Sequence, residues 1–301
     1  MHYKLSIGVL TMNRSNQLRE ALESCLMCQL PAETEFVVID NASTDDTEST
    51  VRQALSNCGY DYYYEKLQEN LGVGGGRNCV FMKARGEYLY VLDDDAVIDV
   101  EKNDDFFIRA IQLMERDPKI ATLTTQIHDT VWRGNRVQRS GPEIGHGIYL
   151  CKMFCGGSHF LRKPFFKDVP YLPNKYGYEE IPPSLRVMDA GMRNVFCPEL
   201  LVIHKPAVNK WNWEKEENQE LLITGIATPY AIQKMMYPRI CGLLLWLAVV
   251  IRGYRYLRHI PNVQKRVREK VQEICSRYTI RDKIKLRTVC MMVRMFGFSA
   301  F

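Results

Sequence analysis

The sequence predicts an α/β fold, a mainly parallel central sheet with helices on both faces. Three observations carry that prediction. Over the first hundred residues, nearly unbroken apolar runs (KLSIGVL, EFVVID, EYLYVLD) alternate with amphipathic stretches. Strands that read as continuous apolar runs are those covered on both faces, and alternation with helices marks a parallel sheet joined by crossovers. The composition fits as well: 46% hydrophobic and 25% charged over 301 residues is enough to bury a full core. It excludes a disordered, collagenous or wholly membrane-embedded chain.

In chain order, the first strand runs into Thr11, Met12, Asn13 and Arg14. Ser15 to Cys28 has apolar residues at 18, 21, 22, 25 and 26, the spacing of a helix packed on one face. The second strand ends in Asp40, Asn41 and Ser43, and the pattern Ser43-Thr-Asp-Asp46 predicts a capping box for a helix over 45–55. Residues 70–78 (NLGVGGGRN) form a glycine-rich loop opening into a helix, and the strand 87–92 ends in Asp93, Asp94 and Asp95. A weaker β-rich region covers 120–161, followed by a Pro-punctuated loop over 163–183, a helix over 184–191 and a strand over 194–203 leading to His204. The α/β body is expected to close near Trp213, with a helical region from 214 to 301.

In such sheets ligands collect at the carboxyl ends of the strands, where three chain-distant polar clusters converge. Three consecutive aspartates there repel one another and lose hydration, a cost that a bound divalent cation offsets. A helix N-cap is the alternative, but needs only one acid. The glycine-rich loop is neither a dinucleotide fingerprint, since Arg77 stands where the last glycine belongs, nor a P-loop, since no Gly-Lys-Ser/Thr follows. Its glycines allow close backbone approach, and a helix N-terminus beside Arg77 suits a phosphate.

The net charge of +5 conceals an asymmetry. Residues 252–301 carry thirteen Lys and Arg against three Asp and Glu, a net +10, which leaves −5 for residues 1–251. Ahead of that basic region, Ile240 to Ile251 is twelve residues without a charge. As a helix it covers about 18 Å, short of the roughly 30 Å hydrocarbon core, so it reads as an interfacial helix drawn to anionic lipid rather than a span. A buried helix with a solvated basic face is the other reading. Ten scattered cysteines, with an N-terminus that runs straight into a strand, predict reduced thiols and a cytoplasmic setting, peripheral on the inner face of the membrane. The one C-x-x-C, Cys25 to Cys28, lies late in a helix without a second pair and is read as buried thiols.

Four segments in fixed order (SIGVLTMNR, VVIDNASTDDT, ENLGVGGGRN, YVLDDDA) resemble the nucleotide-sugar-binding half of GT-A-fold family 2 glycosyltransferases, within them the rhamnosyltransferase-like branch. MFCGGSHFLRK, YGYEEIPPSLRVMDAG and NVFCPELLVIHKP resemble the second half, so the likeness covers residues 4 to about 210. It implies a catalytic domain over 1–213, with nucleotide sugar bound by about 1–100 and acceptor by about 101–213. It also implies that Asp40 reads the nucleobase, with Thr11, Asn13 and Arg14 in the same pocket and Asn70 and Arg77 near the nucleotide. Asp93, Asp94 and Asp95 carry the D-x-D motif, Asp95 and Asp93 holding Mn2+ or Mg2+ together with His204. Gly156 and Gly157 let the backbone approach the sugar, Glu180 is the catalytic base and Glu179 orients the acceptor. Arg186 is expected to partner these acids. The sequence departs from the family's Glu-Asp pair in having Glu at the second position and Pro182-Pro183 after it.

These readings converge on an inverting, metal-dependent transfer of sugar from a nucleoside diphosphate to an acceptor hydroxyl. The acceptor is expected to be a saccharide or polyprenyl-linked oligosaccharide at an anionic membrane surface, in bacterial surface polysaccharide or glycolipid assembly. A nucleotidyltransferase would share the strand-end carboxylates but has no use for Glu179-Glu180. A nucleic-acid-binding protein would rest on the basic region alone, with Tyr254, Tyr256 and Tyr278 as stacking groups, and no nucleic-acid partner is expected. His128, His146, His159 and Trp132 are candidate acceptor-side groups.

Overall fold

The structure, a computed structural model, describes residues 3–136, 140–175, 177–206, 216–280 and 282–301. The chain divides into two compact units, Met1–Val208 and Asn209–Phe301. The boundary expected at 213 lies outside the described residues.

Unit 1 is a mixed α/β body. Its strands are β1 (Leu5–Thr11), β2 (Thr34–Asp40), β3 (Asp61–Lys66), β4 (Tyr88–Asp93), β5 (Ala96–Ile98), β6 (Ile120–Asp129), β7 (Gly134–Asn135), β8 (Ser140–Glu143), β9 (Tyr149–Cys151), β10 (Ser158–Arg162) and β11 (Arg193–His204). Its helices are α1 (Ser15–Leu26), α2 (Thr47–Leu55), α3 (Gly72–Lys83), α4 (Phe106–Arg116) and α5 (Ile181–Asp189). The sheet runs β3-β2-β1-β4-β10-β6-β11-β9-β8, with β5 on β11 and β7 on β6. Only its first half is uniformly parallel: β10 enters antiparallel between β4 and β6, and β9 antiparallel on β11. The expectation of a mainly parallel sheet therefore holds through β4. Strand order cannot be read from an apolar run, and β10 reaches β4 by a long return through β6 to β9.

The period of two sorts the core into two layers. Phe36 and Val38 of β2, with Tyr88, Tyr90 and Leu92 of β4, pack on Leu18, Leu22 and Cys25 of α1, Val51 of α2 and Phe106 and Phe107 of α4. The alternate residues, Val37, Ile39, Leu89 and Val91, pack on Val80 and Phe81 of α3 and on Ala84 at its C-terminal end. Helices thus cover both faces. Tyr90 stands edge-on to Phe106 and Phe107, with centroids at 5.4 and 5.2 Å.

Several local expectations change. The capping box does not form at Ser43, whose Oγ instead accepts from the backbone N–H of Asn13. Asp45 serves two helix starts, accepting from the N–H of Ser15 with one oxygen and of Thr47 with the other. Helix α5 begins at Ile181, three residues before the expected start, with both prolines in its first turn. Proline is tolerated there because those N–H groups have no partner within the helix. The glycines of 72–76 lie inside α3, and a Cβ on Gly74 would sit 1.8 Å from the Leu172 carbonyl oxygen. At Gly72 and Gly74 it is the protein's own 172–175 loop that approaches the backbone.

Unit 2 comprises α6 (Glu216–Met236), α7 (Gly242–Leu257), α8 (Val263–Arg277) and α9 (Leu286–Phe296). No described helix is long and apolar enough to cross a membrane. The apolar run forms α7 and its approach, burying Leu245, Ala248 and Val249 while Ile240, Leu243, Leu244, Leu247 and Ile251 are exposed. The exposed set recurs every three or four residues and makes one stripe.

Candidate active site

The strand register builds the site. Thr11 lies opposite Asp40 and Leu10 opposite Asp93, so β1, β2 and β4 end at the same edge. A cavity of about 470 Å³ opens there, lined by Thr11, Arg14, Asn70, Arg77, Asp93, Asp94, Asp95, Gly156, Gly157, Glu179, Glu180 and His204, among others. Two expected nucleotide residues are not among its walls. Asp40 is buried, accepting from the Ser43 N–H and the Tyr64 hydroxyl, and Asn13 accepts from the Thr44 N–H. Both hold the turn at the base of the pocket. Asn13 does so with a left-handed backbone, φ 53°.

The three aspartates part company. Asp94 turns back to β1, accepting from Thr11 Oγ1 and Arg14 Nη1 at 2.8 Å each. Burial raises its carboxyl to about 6 against the pull of Arg14. Asp93 and Asp95 turn toward His204 at the end of β11, and donor atoms of the three lie within 4.8 Å of one another. Among the described residues this is the one such group of His, Cys, Asp and Glu.

Two carboxylates and an imidazole fit a Mg2+ or Mn2+ ion, with water or substrate oxygens completing its coordination. The surroundings of His204 strengthen the fit. Its Nε2 lies 3.2 Å from Asp95 Oδ1, and its Nδ1 lies 2.9 Å from Asp129 Oδ2. A proton on Nδ1, donated to Asp129, leaves Nε2 free to ligate. Burial disfavours the imidazolium, but the hydrogen bond to Asp95 and the charges of Asp95 and Asp93 together outweigh it and raise the His204 pKa. Arg136 closes the group, with Nη2 2.9 Å from His204 Nδ1 and 3.4 Å from Asp129 Oδ2.

Beside the triad lies a buried ion cluster. Arg77 is buried, with Nη2 2.5 Å from Asp93 Oδ1 and Nη1 on Glu179 Oε1. Burial works against its charge, yet Asp93 and Glu179 hold its pKa above the ordinary arginine value. Its guanidinium is thus committed to two carboxylates, where sequence reasoning placed it at a phosphate. Arg77, rather than Arg186, is the partner of Glu179. Gly156 and Gly157 make room for this cluster: a Cβ would sit 2.6 Å from Arg77 Nη1 at the first and 2.9 Å from Asp93 Oδ2 at the second.

Glu179 and Glu180 differ in environment. Glu179 is buried and its Oε2 has no partner. Glu180 sits at the N-cap of α5, half-buried in the cavity wall. Burial and the neighbouring Glu179 charge push its carboxyl up to about 8. A carboxyl so raised is suited to proton transfer near neutrality.

The acceptor-side candidates fare unevenly. His159 is buried in β10, with Nε2 2.6 Å from the Tyr171 hydroxyl, and burial followed by the Arg77 charge drives its pKa down to about 3. It is a neutral core residue. His128 pairs with Asn135, His146 occupies a turn and Trp132 is exposed. Cys25 and Cys28 are buried thiols raised by burial, Cys28 to about 12, as the buried-thiol reading expects. Sequence reasoning missed Asp129 and Arg136. The signal for Asp129 was present, since it too is an acid ending an apolar strand, but a single acid made no motif.

Three comparisons bear on this arrangement. Residues 6–171 match the profile of the family described as "Glycosyl transferase family 2". The chain is 24% identical over 252 residues (80% of this chain, 94% of the relative) to UDP-Glc:alpha-D-GlcNAc-diphosphoundecaprenol beta-1,3-glucosyltransferase WfaP of Escherichia coli. It is 30% identical over 112 residues to poly-beta-1,6-N-acetyl-D-glucosamine synthase of Staphylococcus epidermidis, a match spanning 37% of this chain and 26% of that protein's length. The fold is shared with a mannosyltransferase of Pyrobaculum calidifontis solved in complex with GDP-Man and Mn2+, at TM-score 0.61 and 15% identity, covering 99% of this chain and 83% of that one.

Proposed function

The chain belongs to glycosyl transferase family 2, and from that premise we propose that it transfers a sugar from a nucleoside diphosphate to an acceptor hydroxyl with inversion at the anomeric carbon. The acceptor is a polyprenyl-diphosphate-linked saccharide of bacterial polysaccharide or glycolipid assembly. The observation that carries the proposal is the placing of Glu180 and the Asp93, Asp95 and His204 group in the walls of one cavity. The naming of WfaP for a diphosphoundecaprenol substrate supports the choice of acceptor, and the Mn2+ of the mannosyltransferase complex supports a divalent cation.

Thr11, Arg14 and Asn70 form the nucleotide end, with Asp40 and Asn13 bracing the turn. Asp93, Asp95 and His204 would hold Mg2+ or Mn2+, which supplies neutralisation of the departing diphosphate. Asp129 keeps His204 in its ligating tautomer, and Arg77 holds Asp93 and Glu179 in place. Glu180, ionised, takes the acceptor hydroxyl proton as that oxygen bonds to the anomeric carbon. The bond from that carbon to the diphosphate oxygen breaks with its electron pair on the leaving group. Attack opposite to the leaving group inverts the centre. Glu179 keeps the negative field that raises Glu180, which makes the latter a stronger base. Gly156 and Gly157 keep the floor of the site at backbone height, so that the sugar can lie against it.

Unit 2 brings the enzyme to the cytoplasmic face of the membrane. The exposed stripe of Ile240, Leu243, Leu244, Leu247 and Ile251 enters the interface, and the basic C-terminal residues meet anionic headgroups. A panel of nucleotide sugars, each incubated with Mn2+ or Mg2+ and again with chelator, tests the chemistry. Release of nucleoside diphosphate from one donor, abolished by chelator and restored by metal, is the expected result. Turnover indifferent to chelation removes the metal from the mechanism.

A further inference from the structure

Helices α6, α7 and α8 of unit 2 line an open cavity of about 360 Å³ walled by Tyr230, Lys234, Trp246, Arg268, Val271 and Gln272. Its charges are unlike those elsewhere on α8. Lys265, Arg266, Lys270 and Arg277 each pair with a carboxylate. Among the described residues Arg268 does not, lying over the Trp246 ring at 4.7 Å, and Lys234 across the cavity has no carboxylate partner either. The Tyr230 ring lies 5.8 Å from that of Trp246, and no described residue hydrogen-bonds its hydroxyl. Two cations, a hydroxyl and an amide therefore face one space walled by an indole, a donor set that matches phosphate oxygens. A second cavity of about 160 Å³ shares Trp246 and is walled by Val249, Val250, Val263 and Val267, with Arg258 beside them. One indole thus separates a cationic space from an apolar one.

We propose that these paired cavities bind a phosphate carried on an aliphatic chain, Lys234 and Arg268 taking the phosphate oxygens and the valine-lined cavity the first carbons of the chain. The site goes beyond the transfer chemistry and rests on the reading that unit 2 meets a bilayer. Its ligand can come from two sources, an anionic glycerophospholipid or a polyprenyl phosphate, which share that chemistry.

Calorimetric titration of the full chain distinguishes them with three soluble probes: inorganic phosphate, short-chain phosphatidylglycerol and farnesyl phosphate. Binding of either chain-bearing probe at least tenfold tighter than inorganic phosphate is expected, the tighter of the two naming the source. The Lys234→Gln/Arg268→Gln double variant weakens it about 25-fold, at about fivefold for each basic residue removed. Lys265→Gln/Lys270→Gln removes the same charge outside the cavity and changes soluble binding less than about threefold. Equal losses in the two double variants, or equal affinity for all three probes, would overturn the site. Transfer to a soluble acceptor is unchanged in the Lys234/Arg268 variant, which separates this proposal from the enzymatic one and shows that the variant is folded. Leu243→Ser/Leu247→Ser abolishes flotation with phosphatidylglycerol vesicles but leaves probe binding intact. Flotation unchanged by that variant contradicts the interfacial stripe, leaving the pocket to be decided by the titrations.

Discussion

Arg77→Met tests the ion cluster on which the site is built. The side chains of Arg77 and Glu179 are each 4% exposed and that of Asp93 is 31% exposed. Methionine keeps the length and loses the charge, so Glu179, whose Oε2 already lacks a partner, is left buried without a counter-ion. Removing one member of a buried pair costs about 3–5 kcal/mol, because the remaining charge keeps its desolvation penalty. For a body of this size each kcal/mol lowers Tm by about 2–4 °C, which places the expected drop between about 6 and 20 °C. Thermal unfolding followed by circular dichroism reads it. The double variant Arg77→Met/Glu179→Leu, which replaces the pair with apolar groups, should recover at least half of the loss. A single-variant drop below about 2 °C, or no recovery in the double, would refute the cluster as a buried electrostatic unit.

Further expectations concern the base, a glycine and the thiols. A base must be ionised, and the Glu180 carboxyl is raised to about 8. Transfer kcat/KM should therefore climb with pH below about 8 and level above it, and Glu180→Gln should abolish the climb along with about 10²–10⁴-fold of the rate. A flat wild-type profile between about pH 6 and 9 would contradict the assignment. Gly74→Ala drives a methyl into the Leu172 carbonyl and should destabilise unit 1 by about 1–3 kcal/mol in urea unfolding, whereas wild-type stability would mean the 172–175 loop yields freely. In the native chain a thiol reagent should modify the exposed Cys290 and spare Cys25, Cys28, Cys151 and Cys197 until unfolding, and mass mapping of the first adduct checks this.

The sequence displayed the parts of the site that repeat. Thr11, Asp40 and Asp93 each follow an apolar run, so parallel pairing alone carries them to one edge. His204 became legible only through the order of motifs that carries the family resemblance. What stayed hidden depends on contacts distant along the chain. Arg77 and Glu179 are 102 residues apart, and no local pattern says that a guanidinium after a glycine-rich segment faces two carboxylates. Asp129 was hidden because a single acid at the end of β6 makes no motif, and Arg136 because the His204 it meets lies 68 residues away. The glycines were visible, but their reason was not. A missing Cβ looks the same whether a ligand or the protein's own loop approaches it.

In the proposed mechanism the two ends of the cavity do separate work, the Asp93, Asp95 and His204 end holding the donor and Glu180 moving the proton. Calorimetric donor affinity of Glu180→Gln in the presence of Mn2+, measured beside its transfer rate, tests this most directly. Donor affinity should stay within about threefold of wild type while transfer falls by about 10²–10⁴. Donor affinity lost in proportion to the rate would contradict it, because Glu180 would then be part of the donor site and some other group would be the base.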